Sequence, residues 1–319
     1  MKKHLLTISI IALSLLTACS DNDQSNAPAA TDTSETQYSI TDFAEQTITF
    51  DHVPERIAAL SNGDMDIIYA LGGTLVGRPT SNGPSVVPEA EDVEQIGSTH
   101  ELDLEKLTYV QPEVVLGNSQ MNIKDVPTVQ GLGAQMVLTN AQSVDDIKAQ
   151  ITLFGEMLQN QEKAAEIVEM INQKVSEIQS ERTDKQVRVL LVYGAPGTYM
   201  AALPNSLSGN LLELAGGENI ASDFPSLEAY PQYAQLNTER VVEADPHLIL
   251  LMSHGNSEEV KAGFMKEMEQ NAAWNQLEAV QAGRIDVLPS DLFGTNPGTR
   301  VTEALDVLVD LFESVHDKS

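Results

Sequence analysis

The sequence contains a single cysteine, Cys19, in 319 residues. An internal disulfide is impossible and so is a zinc site built on several thiolates, so any metal chemistry must rest on His, Met, Tyr or carboxylates. Basic residues are scarce too: 18 Lys and Arg stand against 47 Asp and Glu, a formal net charge of −29. A surface that negative repels phosphate backbones and anionic headgroups, and no dense Lys/Arg run relieves it. Nucleic acid is therefore excluded as a partner, and membrane contact other than through an anchor is disfavoured. Motifs of common enzymes are missing as well. There is no GxSxG, no HExxH, no P-loop and no GxGxxG after a strand, and the acid pairs are too numerous to single out a catalytic dyad. The chain is expected not to be an enzyme, with an extracellular enzyme kept as the alternative from another class.

What is present points out of the cytoplasm. Lys2, Lys3 and His4 precede an apolar run from Leu5 to Leu16, closed by Leu16-Thr17-Ala18-Cys19. This is the layout of a secretory signal peptide over residues 1–18, with an apolar run short for a permanent span. Its last four residues resemble a bacterial lipobox, so Cys19 is the expected lipidation site. Residues 19–38, made of Asp, Asn, Ser, Thr, Ala, Gln and Pro28 with almost nothing apolar, cannot bury enough surface to order themselves and read as a flexible tether. The expected location is the outer face of a bacterial cell membrane, held by lipid.

The remainder is rich enough in apolar residues, 42% over the whole chain, for two domains with real cores. Short β-branched runs at 56–60, 75–77, 114–116 and 135–138 alternate with helical stretches, and a second set follows at 187–193, 248–252 and 284–288. Strands alternating with helices predict parallel sheets covered by helices, the α/β class. Between the sets, Val144, Ile147, Ile151, Phe154 and Leu158 keep helical spacing, and Val168, Ile171, Val175 and Ile178 resume it. The pattern predicts one helix packed on a first lobe (39–159), then a bridging helix from near Asn160 (160–182), then a second lobe (183–319). An internal echo supports the division. LDLEKLTYVQPEVVLGNS from Leu102 lies ungapped against LNTERVVEADPHLILLMS from Leu236, at an offset of 134. Each copy reads as a short helix, a proline-marked turn and a buried strand.

At this point the residues resemble a known family. ERIAAL near the start of the first lobe, the paired helix-Pro-strand segments, the long helical connection and LLELAGGENI (Leu211 to Ile220) are similar to the substrate-binding lipoproteins of iron-complex ABC importers. Gly194 to Ile220, Ser253 to Ile285 and Phe293-Gly294-Thr295-Asn296 more specifically resemble the haem-binding lipoprotein of the iron-regulated surface determinant system and its streptococcal relatives. The resemblance implies two Rossmann-like lobes joined by a long helix, the helical-backbone type of periplasmic binding protein. It further implies a receptor that binds haem (iron protoporphyrin IX) edge-in between the lobes and delivers it to an ABC permease and its ATPase, with a surface haem-donor protein as a further partner. The alternative within the class is a ferric siderophore or corrinoid; anionic siderophores call for basic residues in the cleft, and Arg78 and Arg300 are the most plausible here.

By the same resemblance the iron takes one axial ligand from each lobe. The histidine motif matches at His254, in Met252-Ser253-His254-Gly255, and the position of the family's methionine ligand holds His100, in Gly97-Ser98-Thr99-His100-Glu101. For His100 alone, a solvated loop histidine is the competing reading. Imidazole suits iron in either oxidation state, and exchanging thioether for imidazole favours the ferric form. Met65 or Met121 are the substitutes should His100 fail. For the propionates, Ser61-Asn62-Gly63 reads as the cap of a helix beginning near Asp64, where free N–H groups suit an anion, and Ser81-Asn82 in a second small-polar turn could join it. Ordinary capping is the competing reading for both. Tyr199 falls in a matched motif and lines the slot or packs. Permease docking is implied for one acid on each lobe, by position Asp66 and Glu213. His247, the repeat counterpart of Glu113, reads as part of a polar turn. A free-metal receptor built on His52, His100, His247 or His254 would need three or more converging ligands.

Overall fold

The computed structural model describes residues 37–81, 83–182, 186–253 and 257–317. The leader, Cys19 and nearly all of the expected tether lie outside the described residues. Tyr38, assigned above to the tether, instead opens a strand: β1 (Tyr38–Thr41) pairs antiparallel with β2 (Thr47–Phe50). Its ring lies 5.4 Å from that of Phe50, a contact the polar residues before it have no side chain to make. Asp42 turns this hairpin by accepting from the amides of Ala44 and Gln46, each at 2.9 Å, and its second oxygen takes the Leu138 N–H at 3.0 Å, tying the hairpin to the first lobe.

That lobe is a parallel sheet. β3 (Ile57–Ala59), β4 (Leu75–Arg78), β5 (Glu94–Gln95), β6 (Val114–Asn118) and β7 (Gln135–Thr139) lie in the order β5-β4-β3-β6-β7. The crossovers carry α1 (Asn62–Ala70), α2 (Leu104–Val110) and α3 (Val126–Gly131). Strands covered on both faces need apolar residues without alternation, which is why Val114, Val115 and Leu116 form an unbroken run and are all buried. α4 (Val144–Met157) starts where Ser143 accepts from the Asp146 amide, with Asp145 and Asp146 in the first turn facing the positive end of the helix. It is followed by α5 (Gln161–Glu181), which begins after Asn160, the junction at which the apolar periodicity restarts. Gly155 lets the two helices meet, because a Cβ there would run into Ala164.

The second lobe centres on β8 (Val187–Tyr193). β12 (Leu248–Met252) lies parallel to it, and β13 (Ile285–Val287) parallel to β12. Two short strands share the other edge of β8: β10 (Gly217–Asn219) runs parallel along its start, and β9 (Met200–Ala202) antiparallel at its end, with β11 (Tyr233–Gln235) antiparallel on β9. These antiparallel strands depart from the all-parallel expectation. Gly194 at φ 129° and Gly197 at φ 83° reverse the chain directly after β8, conformations glycine adopts without a Cβ penalty, and three residues are too few to carry a readable period. The helices of this lobe are α6 (Leu207–Leu214), α7 (Thr238–Ala244), α8 (Ser257–Met268), α9 (Glu278–Gln281), α10 (Ser290–Phe293) and α11 (Val301–Asp317).

The internal echo is structural. α2 and α7 are each capped by a side chain that accepts from the third helical amide, Asp103 from Lys106 and Asn237 from Arg240. Each ends on a non-glycine residue in the left-handed region, Gln111 at φ 44° and Asp245 at φ 40°. Each is followed by a proline and a buried strand, β6 or β12. The core follows the two sheets. One cluster runs through both lobes and takes in Leu116, Leu250, Phe154 and Phe312. The opposite sheet faces have their own clusters, around Val115 and Leu107 in the first lobe and Phe264 and Trp274 in the second.

After α10 the chain returns to the first lobe. A 3-10 turn at Gly298–Arg300 packs on α1, and Thr299 donates to the Asp66 carboxylate from its amide at 2.6 Å and its hydroxyl at 2.7 Å. Asn296 fills the space above Gly63, where a Cβ would stand 2.6 Å from the Asn296 carbonyl oxygen.

Candidate ligand-binding cleft

A cleft of about 320 Å³ is walled by both lobes, at the carboxyl ends of their parallel strands where α/β proteins bind ligands. The first lobe contributes Ser61 and Asp64 from the start of α1, Thr99 and His100, Asn118 at the end of β6, Gln120 and Met121 beyond it, and Thr139 at the end of β7. The second contributes Tyr193, Ser206 to Ser208 at the start of α6, Gln232, Tyr233 and the segment Phe293 to Asn296. Two helix starts therefore border one space. Ser61 accepts from the Asp64 amide at 3.1 Å and Ser206 from the Gly209 amide at 3.0 Å.

Among the described lining residues there is no Lys or Arg. Arg78 is buried elsewhere, donating to the Glu91 carbonyl at 3.2 Å and to Ser81 at 3.3 Å. Arg300 is occupied by Asp291 at 2.8 Å and Glu303 at 3.0 Å. The one buried acid at the cleft is Asp64, 1% exposed. Burial pushes its carboxyl up to about 6, against the opposing pull of hydrogen bonds from Ser61 (2.6 Å) and Thr139 (3.2 Å). Gln150 also donates to it, and Asn296 donates to Gln150 at 2.9 Å, so a chain of side-chain amides joins this acid to the returning segment. Opposite, the rings of Tyr193 and Tyr233 stack at 5.2 Å and 27°. Burial, then the neighbouring Tyr193, pushes the Tyr233 hydroxyl up to about 12, so at neutral pH it is a neutral phenol offering an aromatic face.

The cleft brings together Ser61, His100 and Met121 of the residues singled out by sequence. Asn62 and Gly63 do not line it: Asn62 is half-buried at the first position of α1, and Gly63 is covered by Asn296. Ser81 does not line it either, because its turn serves Arg78 and the Gln95 side chain, which accepts its amide at 3.2 Å. Tyr199 packs edge-on against Phe264 at 5.1 Å and 81°, inside the outer core of the second lobe, and so is a packing residue. Met65 is 1% exposed in the core of the first lobe, out of reach of a ligand. Asp66 is half-buried and its carboxylate is turned inward to Thr299, so it presents no free charge for docking; burial raises its pKa and the Thr299 bonds oppose the rise. Glu213 is exposed on α6. Cys19, Asn82 and His254 lie outside the described residues; β12 ends two positions before His254, at Met252, paired with the cleft residue Tyr193.

Sequence reasoning missed three contributors. The α6 start was signalled by Ser206-Leu207-Ser208-Gly209 ahead of an apolar run, an ordinary cap pattern. The tyrosine stack joins residues forty positions apart in different strands and has no local signal. The segment Phe293 to Asn296 carried a family motif but no chemistry of its own.

A model of the periplasmic binding protein family matches residues 57–292 of the chain. The protein belongs to that family. As a periplasmic binding protein it is similar to the high-affinity heme uptake system protein IsdE of Staphylococcus aureus strain MRSA252, with 29% identity over 309 residues, 96% of each chain. Among solved structures, an ABC transporter substrate-binding protein from Listeria monocytogenes EGD-e matches with a TM-score of 0.71 and 26% identity, over 81% of this chain and 98% of that one. S. aureus IsdE complexed with heme matches with a TM-score of 0.69 and 28% identity, over 81% and 98%. The vitamin B12 binding protein BtuF of Vibrio cholerae shares the fold, with a TM-score of 0.66 and 20% identity over 83% and 98%. Among the described residues no helix is long and apolar enough to cross a membrane.

Proposed function

We propose that this periplasmic binding protein is an extracytoplasmic haem receptor that holds haem between its lobes and passes it to an ABC permease without chemical turnover. The observation that carries the reading is the position of His100, an imidazole at the rim of an interlobe cleft whose described lining holds no cation. A neutral donor beside polar and aromatic walls suits a flat iron complex and gives an anionic siderophore nothing to pair with. Similarity to a heme uptake protein over nearly the full length of both chains supports the same cargo.

In this reading His100 and His254 are the axial ligands, with Met121, also in the cleft, as the substitute on the first lobe. Of the residues assigned to the propionates, Ser61 at the start of α1 lines the cleft and meets them. The Tyr193–Tyr233 stack faces the macrocycle. Glu213 is the acid offered to the permease on the second lobe. A leader at residues 1–18, lipid on Cys19, a tether to the first lobe at 39–159, a bridge at 160–182 and a second lobe from 183 complete the organisation. The ATPase of the importer and a surface haem donor are its further partners.

Haem titration in the visible and Soret regions tests this. The expected result is saturable one-to-one binding with a low-spin ferric spectrum, and loss of one axial ligand in each of His100→Ala and His254→Ala with the fold retained. No Soret change would overturn haem as cargo and direct the titration to corrinoids and ferric siderophores. Unchanged low-spin spectra in both variants would overturn the pair of histidines.

A further inference from the structure

His100 sits on a loop whose own bonds shape it without fixing where its tip lies. Gly97 and Leu102 form an antiparallel bridge, the Ser98 amide donates to the Glu101 carbonyl at 2.8 Å, and the His100 amide donates to the Ser98 hydroxyl at 3.3 Å. The base is fastened to the first sheet, with Thr80 N–H on the Gly97 carbonyl at 2.7 Å and Asp103 N–H on the Ile96 carbonyl at 3.0 Å. The tip is tied by another residue. Asn122, 0% exposed, donates from its side-chain amide to the carbonyl oxygen of Thr99 at 2.9 Å, one residue before His100.

The Asn122 side chain is fully committed in that orientation. Its second amide hydrogen goes to the Asp125 carboxylate at 3.0 Å, and its oxygen accepts the Asn118 amide, at the end of β6, at 2.9 Å. Turning the group over would face its oxygen to a carbonyl and a carboxylate and its NH2 to an N–H, losing three bonds at once. Room for it comes from Gly117 within β6: a Cβ there would stand 3.2 Å from both the Asn122 Cβ and its Oδ1. Glycine inside a strand weakens it and marks a close approach, here those of Asn122 and of the Met136 methyl, which would stand 2.7 Å from the same Cβ. Asn118 meanwhile accepts from the amides of Gln120 and Met121 at 2.9 and 3.1 Å, holding the Met121 turn independently.

We propose that Asn122 is the positioning residue that registers the His100 imidazole against the end of β6 and so presents it to the cleft. This rests on the reading of His100 as a ligand of haem iron. Outer residues that orient a metal ligand typically contribute 10–100-fold in affinity.

The test uses the haem-loaded protein and the variants Asn122→Ala and Asn122→Asp. Aspartate keeps the acceptor for the Asn118 amide but sets an oxygen against the Thr99 carbonyl and the Asp125 carboxylate. Both variants are expected to convert the ferric spectrum from low spin toward high spin, as His100→Ala does, and to weaken haem binding about 10–100-fold. In a His100→Ala background the same change is expected to add less than about twofold, because an interaction acting through His100 has nothing left to act on. A low-spin spectrum retained in Asn122→Asp, or an equal loss of affinity with and without His100, would overturn the proposal. Should neither variant fold by circular dichroism, hydrogen exchange of the Asn122 side-chain amide in the unaltered protein decides: slow exchange is expected of a group held by Thr99 and Asp125, and the rate of a free side-chain amide would overturn it. If His100→Ala leaves the spectrum unchanged, the ligand reading falls, and the exchange rate of the Asn122 side-chain amide still judges the pin alone.

Discussion

The two lobes meet the same structural demand with different chemistry. In each, an arginine at the start of the central strand closes the end of the echoed helix: Arg56 donates to the carbonyls of Val110 and Gln111, Arg188 to those of Ala244 and Asp245. In each, a side chain after the proline accepts the backbone N–H of that arginine. In the first lobe it is the Glu113 carboxylate at 2.9 Å, which also takes the Glu55 amide and His52 at 2.8 Å. In the second it is Nδ1 of His247 at 3.1 Å. The joint needs an acceptor and not an anion, so an imidazole serves once it is kept neutral. Burial, then the Arg188 charge, holds the His247 pKa below its usual value. At Glu113 burial pulls the carboxyl upward, but the bonds from His52, Arg56 and Glu55 outweigh it and the net is a lowered pKa.

The helix starts differ in the same way. Ser61 and Ser206 cap alike, but the third helical residue is Asp64 in one lobe and Gly209 in the other. One side of the cleft thus carries a buried acid and the other a glycine packed against the Leu203 backbone.

If the lobes are equivalent where they echo, matched core truncations should hurt equally. Leu116→Ala and Leu250→Ala remove fully buried side chains at corresponding strand positions of one shared core, and each is expected to cost about 3–4 kcal/mol in chemical denaturation. A cost twice as large in one lobe would break the equivalence. The next largest effect falls where the lobes differ. Asp64 holds its proton more tightly folded, near 6, than unfolded, at 3.8. Its contribution is therefore most favourable at low pH and is lost as pH rises from about 4 to about 6, by about 3 kcal/mol. Asp64→Asn should remove that slope from denaturation curves measured across the window, and a slope left intact would assign it to another group.

The smallest effects sharpen the contrast at the joints. Glu113→Ala strands two backbone N–H groups, for about 2 kcal/mol, and His247→Ala strands one, for about 1 kcal/mol. Their pH dependence separates them. Both groups have lowered folded pKa values, so both contributions are present above the unfolded pKa and lost as pH falls through the folded one. For His247 the loss begins near 6.5, for Glu113 only near 4.5. Melting followed from pH 7 down to pH 5 should therefore reduce the cost of His247→Ala and leave that of Glu113→Ala.

Legibility in the sequence tracked distance along the chain. The runs at Val187 to Tyr193 and Leu248 to Met252 are strands because a sheet covered on both faces admits nothing else, and the break at Asn160 shows in the restart of a 3.6-residue period. His100 is legible through the family motif ahead of α2, and Met121 through the strand it follows, β6. The errors share a different cause. Asp66 and Gly63 read as free from their neighbours in sequence, yet Thr299 and Asn296 cover them from across the chain. Tyr199 sits in a cleft-like motif, but Phe264, on another helix, claims its ring. Ser81 looks like an anion-binding turn until Arg78 is seen folded beneath it.

The return of the chain onto α1 also sets the order in which the molecule can be completed. Thr299 meets Asp66 across a sequence separation of 233 residues, so the first lobe lacks one of its own surfaces until the chain has been made past Thr299. Closing so long a loop carries an entropic cost that contacts within the lobe do not repay. During synthesis from the amino end, the first lobe waits on the segment from Asn296 to Thr299, and a chain cut short before Asn296 leaves Gly63 uncovered and the amide chain from Asp64 without its final link.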